Sequence, residues 1–110
     1  MFLASDFAWP AVQSALESVG RLAKTGDPKH VWIATQDLFP EAVKAMEQGY
    51  IDLGTIYDAY GHAKEGIRVA ILILKGEKID CPDNVCLVGG RLATEQNIDT
   101  MENLWSRPAK

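Results

Sequence analysis

The sequence predicts an α/β fold, a partial doubly wound (Rossmann-like) parallel sheet with flanking helices. Three short, predominantly apolar runs at residues 2–6, 31–35 and 53–58 indicate buried strands. Each run is followed by a stretch with apolar residues at helical spacing. Strands that alternate with helices are typical of parallel sheets, because a parallel connection needs a crossover.

The first predicted helix runs from Pro10 to about Val19. Its residues Val12, Leu16 and Val19 fall on one face, as in an amphipathic helix that covers a core. Gly20 fits the position just after a helix end, where a left-handed backbone is common.

The second strand–helix unit contains the first candidate site residue. Residues 31–35 form the predicted strand, and Pro40 suits the first position of a helix that Gly49 ends. Residues 50–57 then enter the third strand directly. Asp37 lies between strand and helix, and ligands of open α/β sheets bind beyond the carboxyl ends of the strands. We therefore expect Asp37 to face a binding crevice.

Asp6 and Asp58 end the other two runs, so three aspartates are expected along one edge of the sheet. Aromatic side chains lie near them in sequence: Phe7, Trp9, Phe39, Tyr57 and Tyr60. Carboxylates accept hydrogen bonds from hydroxyl groups, and flat rings pack on the C–H faces of sugars. This combination favours a small neutral polyol as the ligand.

A third helix is predicted over residues 60–74, and its second half differs from an ordinary surface helix. Val69, Leu72 and Ile73 make that half apolar on all sides, which indicates burial on more than one side. Two explanations are open: a central helix in a compact core, or a face left by a missing partner surface.

The end of the chain predicts three shorter elements. Residues 79–84 form a turn-rich loop, and residues 85–88 a final strand. Thr94 is a good N-cap for a last short helix through Trp105.

Composition restricts the class of protein. The 110 residues suffice for one small domain with a single core. The net charge is -4 and the eleven basic residues are scattered, which argues against a nucleic-acid surface. The first residues lack the basic and apolar regions of a signal peptide, and no segment approaches the roughly 20 apolar residues that span a bilayer.

Cys81 and Cys86 lie five residues apart on either side of a predicted turn. A metal site would need two further ligands, and neither His30 nor His62 has ligand spacing to them. Free structural thiols are the preferred interpretation, with a loop-closing disulfide as the alternative in an oxidising compartment. No metal and no cofactor are expected.

Several motifs follow one another along almost the whole chain: FLASD at residues 2–6, Ala15-Leu16 with Gly20, Asp37 with Pro40, Gly49, Thr55 with Asp58, LKGE at 74–77 and TEQNI at 94–98. Their order and spacing resemble the C-terminal part of type I periplasmic sugar-binding proteins. These are the solute-binding proteins of ABC importers, the ribose- and galactose-binding class.

The resemblance implies roles for individual residues. Ser5 and Asp37 would bind sugar hydroxyls, and Asp58 would make a polar ligand contact where the two lobes cross. Asp6 matches an aspartate that more often caps a helix start, and Trp9 and Phe7 either line the cleft or pack in the core. The family more often has Asn at the Ser5 position and Asn or Gln at the Asp58 position, so the identity of the sugar stays open.

The resemblance also implies an incomplete lobe of a two-lobed fold. Residues 1–58 would form strand–helix units of the C-terminal lobe, and residues 59–110 a helix, strand and tail that pack on the other lobe; we treat them as one domain. The intact family is periplasmic and works with an ABC permease, whereas this chain shows no signal peptide. Without the other lobe we expect a homodimer, for example by exchange of the C-terminal helix and strand.

A binding module that does no chemistry is the leading functional hypothesis. One alternative is the effector-binding half of a LacI-type transcriptional regulator, which shares the ligand-binding core. Another is a stand-alone dimer without a ligand. An enzyme that holds Mg²⁺ between strand-end aspartates is disfavoured, because the aspartates follow separate strands and no nucleophile pair is evident.

Overall fold

The computed structural model describes residues 1–102 and 104. The strands are β1 (Phe2–Leu3), β2 (Ala34–Gln36), β3 (Leu53–Ile56) and β4 (Arg91–Ala93), and the α-helices are α1 (Trp9–Ser18), α2 (Pro40–Glu47) and α3 (Ala59–Leu74). Short 3₁₀ turns occupy Asp6–Ala8, Pro82–Asn84 and Ile98–Thr100.

The four strands form one sheet in the order β1-β2-β3-β4. The first three are parallel, and β4 pairs antiparallel with β3. Helices α1 and α2 connect the parallel strands and contact each other, so they lie on the same face of the sheet. The predicted α/β fold with a partial parallel sheet is confirmed.

The final strand was predicted in the wrong place. Residues 85–88 are not in a strand, and Leu87 is exposed; β4 lies at Arg91–Ala93 instead. Its position depends on a close backbone approach, because a Cβ at Gly90 would lie only 3.2 Å from the carbonyl oxygen of Ile56. Residues 85–88 have the apolar pattern of a strand, but it is Gly90 that allows the backbone to approach β3 closely.

Strands β2 and β3 are shorter than predicted because the residues before them serve a buried polar network. The Asp52 carboxylate accepts from the Ile33 N–H at 2.8 Å and lies 2.9 Å from Nε2 of His30. Nδ1 of His30 lies 2.8 Å from the carbonyl oxygen of Ala23, so both ring nitrogens face acceptors. Burial acts to lower the pKa of His30, but these two partners outweigh burial and raise it above the ordinary value.

The predicted last helix is wrong for the described residues. Only one 3₁₀ turn, Ile98–Thr100, forms there, and Trp105 lies outside the described residues. The Asn97 side chain organises this segment, since its oxygen accepts from the Thr94 N–H and its nitrogen donates to the Leu92 carbonyl. A side chain that bonds nearby backbone groups competes with a regular helix.

One face of the sheet is covered and the other is open. Alternate residues such as Leu3, Thr35 and Ile56 are buried in the same core as the two helices. The residues between them point the other way, and Phe2 is 66% exposed there. Doubly wound sheets carry helices on both faces. In the described residues, helices α1 and α2 cover one face only, so the doubly wound arrangement is partial.

Helix α3 and residues 75–90 form an arm that extends from this body. No residue of α3 is buried, and the described chain measures 60 × 27 × 19 Å. Ile67 and Ile73 are exposed on the arm, and Leu74 is 87% exposed. The explanation of α3 as a central helix in a compact core is therefore wrong.

No helix within residues 1–102 combines the length and the apolarity that crossing a membrane would require.

The first prediction concerns Gly54, whose absent side chain makes room for Leu38. A Cβ at Gly54 would lie 2.6 Å from Cδ2 of Leu38, and Leu38 is fully buried, so its side chain would have to shift within the packed core. Gly54→Ala should lower the free energy of unfolding in urea by about 1–3 kcal/mol. Gly66→Ala is the control, because a Cβ there meets open space on α3. Equal stability of the two variants would contradict the packing argument.

Candidate functional site

The candidate site lies at the edge of the sheet where the parallel strands end. Ser5 follows β1, Asp37 follows β2 and Asp58 follows β3, and the strand register places these three ends side by side. We call this edge the rim. It corresponds to the region where ligands of open α/β sheets bind.

Asp37 occupies an unusual turn at the centre of the rim. Asp37 and Leu38 both have left-handed backbones, with φ of 85° and 54°. Such conformations are uncommon for residues other than glycine and need support from neighbours. The Asp37 N–H donates to the carbonyl oxygen of Thr55 at 2.9 Å, and the Leu38 side chain fills the space over Gly54.

The half-buried Asp37 carboxylate has no hydrogen-bond partner among residues 1–102 and 104. Its oxygens can therefore accept from hydroxyl groups of a bound molecule. The backbone that carries this carboxylate is fixed by the bond of the Asp37 N–H to Thr55.

Asp6 supports this turn from inside the molecule. It is 2% exposed, and its Oδ2 accepts from the Phe39 N–H at 3.0 Å, at the start of α2. Its Oδ1 is buried without a hydrogen-bond partner in the described residues. Burial raises the pKa of Asp6 to about 6; hydrogen bonds from Phe39 and Leu38 oppose this shift, and the charge of Asp37 adds to it.

Ser5 is half-buried beside an exposed aromatic ring. Its Oγ accepts from the Phe7 N–H at 3.3 Å and caps the 3₁₀ turn, and the Phe7 side chain is 85% exposed. Gln36 donates from Nε2 to the Ala4 carbonyl at 2.6 Å, which ties the end of β1 to the end of β2. The hydroxyl hydrogen of Ser5 can still donate to a ligand.

Asp58 is the N-cap of α3. Its Oδ1 accepts from the Gly61 N–H at 2.8 Å, and a Cβ at Gly61 would lie 3.0 Å from Cγ of Asp58. Gly61 therefore allows the cap to close tightly. Asp58 thus lies at the point where the chain leaves the rim for the arm.

Trp9 is buried in the core at the start of α1, with 2% of its surface exposed. Of the two positions left open by the sequence, cleft lining or core packing, the structure has core packing. The helix that begins at Trp9 directs its apolar face against α2 and the sheet.

Sequence reasoning missed Gln36 and the pairing of Gly54 with Leu38. A glycine inside a strand can signal a close approach, and Gly54 carries that signal. Gln36 carries no comparable signal, since its bond to Ala4 depends on strand pairing between residues 32 positions apart.

The second prediction follows from the raised pKa of Asp6. An aspartate in the unfolded chain releases its proton near pH 3.9, whereas Asp6 in the folded chain holds it to about pH 6. Its contribution is complete below pH 4 and is lost as the pH rises through 6. The free energy of unfolding of the wild type, measured relative to Asp6→Asn, should therefore fall between pH 4 and pH 7.

Glu95→Gln, at an exposed position, controls for the removal of a carboxylate. A difference between wild type and Asp6→Asn that stays constant across this range would show that Asp6 does not retain its proton in the folded chain.

Comparison with known proteins identifies a similar structure. No protein-family model and no curated protein match the chain. Among solved structures, an ABC transporter solute-binding protein from Bacillus halodurans C-125, determined with bound myo-inositol, matches with a TM-score of 0.65 and 28% identity. The match covers 88% of this chain and 30% of that chain.

The chain therefore spans about a third of the solved chain it matches. This likeness confirms the resemblance predicted from the sequence: the chain has the fold of one part of an ABC transporter solute-binding protein.

Proposed function

We propose that the chain is a partial solute-binding domain that binds a small sugar or polyol at the rim and does no chemistry. The observation that carries this proposal is the Asp37 carboxylate, held at the end of β2 by a strained turn and without a protein partner in the described residues. The solved neighbour holds a cyclic polyol, myo-inositol, which agrees with this class of ligand.

Each rim residue has a role in the proposed binding. Asp37 accepts hydrogen bonds from hydroxyl groups of the ligand, and the Ser5 hydroxyl donates to another ligand hydroxyl. The exposed Phe7 ring packs on a C–H face of the ligand. Asp58 contributes a polar contact at the start of the arm. Asp6 acts through the Asp37 turn rather than by touching the ligand.

Affinity should be low in this chain by itself. Small-molecule sites bury most of the ligand surface, and a single rim covers only one side. In the proposed architecture, residues 1–58 supply one wall of the cleft, and residues 59–110 pack on the lobe that supplies the other. Closure of the two lobes would then exclude water from the ligand.

The wider partners and the compartment are also proposals. The matched neighbour is an ABC transporter solute-binding protein, which supports the proposal that the full receptor delivers its ligand to an ABC permease. A periplasmic location agrees with the bond that joins Cys81 to Cys86, since disulfides persist in oxidising compartments.

The third prediction tests binding at the rim. Titration of the ¹⁵N-labelled chain with myo-inositol should shift amide resonances of residues 5–7, 36–39 and 55–58, with a dissociation constant of about 1 mM or weaker. Asp37→Asn should weaken binding by about tenfold, because a neutral amide with one acceptor oxygen replaces a charged carboxylate with two. Glu95→Gln, at an exposed position, is the matched control and should bind like the wild type. Shifts that are absent from the rim would contradict the proposal.

We also propose that two copies of the chain associate through the arm. Its exposed apolar side chains include Ile67, Ile71, Leu74 and Leu87. Such an accumulation of exposed large apolar side chains is unusual on a monomer and favours association. The second copy would cover the surface that the other lobe covers in the proposed receptor.

The fourth prediction concerns this association. Light scattering after size exclusion should give a mass above that of one chain at high concentration, and Ile67→Glu should shift it toward the monomer because a charge enters the apolar contact. Ala11→Glu adds the same charge at an exposed position of α1, outside the arm, and is the control. A sharp monomer peak for the wild type would refute the dimer.

A further inference from the structure

The uncovered side of the sheet exposes apolar side chains. Phe2 on β1 and Trp32 before β2 are each 66% exposed, and Leu92 on β4 is 54% exposed. Leu53 on β3 lies on the same side, because side chains alternate along a strand and its neighbour Gly54 faces the covered core. These four residues, which we call the open face, carry no charge. They form the kind of sheet surface that a helix covers in α/β folds.

Helix α3 exposes the complementary surface. Ile67, Ile71 and Leu74 follow the spacing i, i+4, i+7, so they lie on one side of the helix, and all three are exposed. We call these three residues the arm stripe. The charged residues of α3 all precede residue 69, and residues 69–74 are apolar throughout. The described chain thus has a sheet face without a helix and a helix without a sheet.

We propose that, in a dimer of this chain, α3 of each copy packs on the open face of the other. The arrangement depends on the association through the arm proposed above and specifies the surface that the arm contacts. Each copy gives one helix and receives one, so a two-fold axis closes the assembly at two chains. Helix α3, at 16 residues, is about 24 Å long, and strands of at most four residues reach about 13 Å, so one helix covers the sheet lengthwise.

The area of the two surfaces favours this pairing over contact between the arms alone. A standard interface removes about 800 Å² from each partner, and about 60% of it, or roughly 500 Å², is apolar. The open face exposes roughly 300–400 Å² of apolar surface, since a Phe or Trp side chain contributes about 150–250 Å² when fully exposed. The arm stripe adds roughly 150–250 Å², at about 60–120 Å² for each fully exposed aliphatic side chain. Neither surface by itself has the apolar area of a stable dimer interface, whereas the two together reach it.

Polar contacts hold the arm in one shape before any partner binds. Arg68 donates from Nη2 to Oε1 of Glu65 at 2.6 Å and from Nε to Oε2 at 2.9 Å. Its Nη1 donates to Oδ1 of Asp80, in the loop that follows α3. A surface that is formed in advance loses less conformational entropy on binding, which favours association.

A disulfide between Cys81 and Cys86 closes the same loop. Asp83 and Asn84 have left-handed backbones, with φ of 51° and 59°, and reverse the chain so that the Cα atoms of the cysteines are 5.2 Å apart. Sγ of Cys81 lies 3.8 Å from Oε1 of Glu65, so the closed loop stays against α3. Free thiols, the interpretation preferred from the sequence, are therefore wrong, because the left-handed turn brings the two sulfurs within bonding reach.

The fifth prediction separates the open face from the arm. Trp32→Glu should weaken self-association by about tenfold or more, measured by light scattering over a concentration series, because it places a charge in the apolar contact. Leu92→Glu, on a different strand of the open face, should act in the same way. Val19→Glu adds the same charge at an exposed apolar residue just after α1 and should leave association unchanged.

A direct measurement uses the unaltered chain. In an equal mixture of ¹³C,¹⁵N-labelled and unlabelled chains, isotope-filtered NOEs report contacts between copies only. They should join the indole ring of Trp32 to methyl groups of Ile67, Ile71 and Leu74. NOEs that join only arm to arm, with Trp32→Glu as strongly associated as the wild type, would overturn the contact with the open face and leave the arm association intact. A monomeric wild type would overturn both, and none of these results depends on ligand binding at the rim.

Discussion

The hydrogen bond between the buried Asp6 carboxylate and the Phe39 N–H is the contact on which the rim depends. It joins the end of β1 to the start of α2 and encloses the two left-handed residues, Asp37 and Leu38. Left-handed backbones cost on the order of 1–2 kcal/mol per residue relative to a right-handed turn. Burial of Leu38 over Gly54 offsets part of that cost, and the result is a carboxylate held at the end of β2.

The same core leaves two large surfaces open. The helices α1 and α2 cover one face of the sheet, and the other face exposes Phe2. The arm carries exposed isoleucines and leucines and buries none of its helical residues. A chain of this size buries limited apolar area and so has limited stability. Its exposed apolar surface favours association over the monomer. Two proposals follow from these uncovered surfaces: weak binding of the ligand at a single rim, and association of two copies through the arm.

The arm is held by polar contacts rather than by a core. Arg68 bridges Glu65 and Asp80, and the disulfide closes the loop beside them. Exposed ion pairs contribute little to stability, so the covalent bond is the stronger constraint on this loop.

The sequence by itself determined the elements that depend on local signals. Pro40 and Gly49 predicted the limits of α2, because proline suits a first helical position and glycine accepts the left-handed backbone after a helix, where φ at Gly49 is 81°. The positions of Asp37 and Asp58 at the ends of β2 and β3 were likewise predicted, since parallel strands end at one edge. Asp6, expected along the same edge, is instead buried beneath it.

Only the tertiary structure decided what depends on residues far apart in the chain. The bond of Asp6 to Phe39 spans 33 positions, and the position of β4 depends on the approach of Gly90 to β3. Burial of Trp9 and the meeting of Glu65 with the cysteines likewise follow from packing and from a turn with two left-handed residues. Local patterns specify the backbone's preferences, whereas these contacts form only when distant segments are brought together.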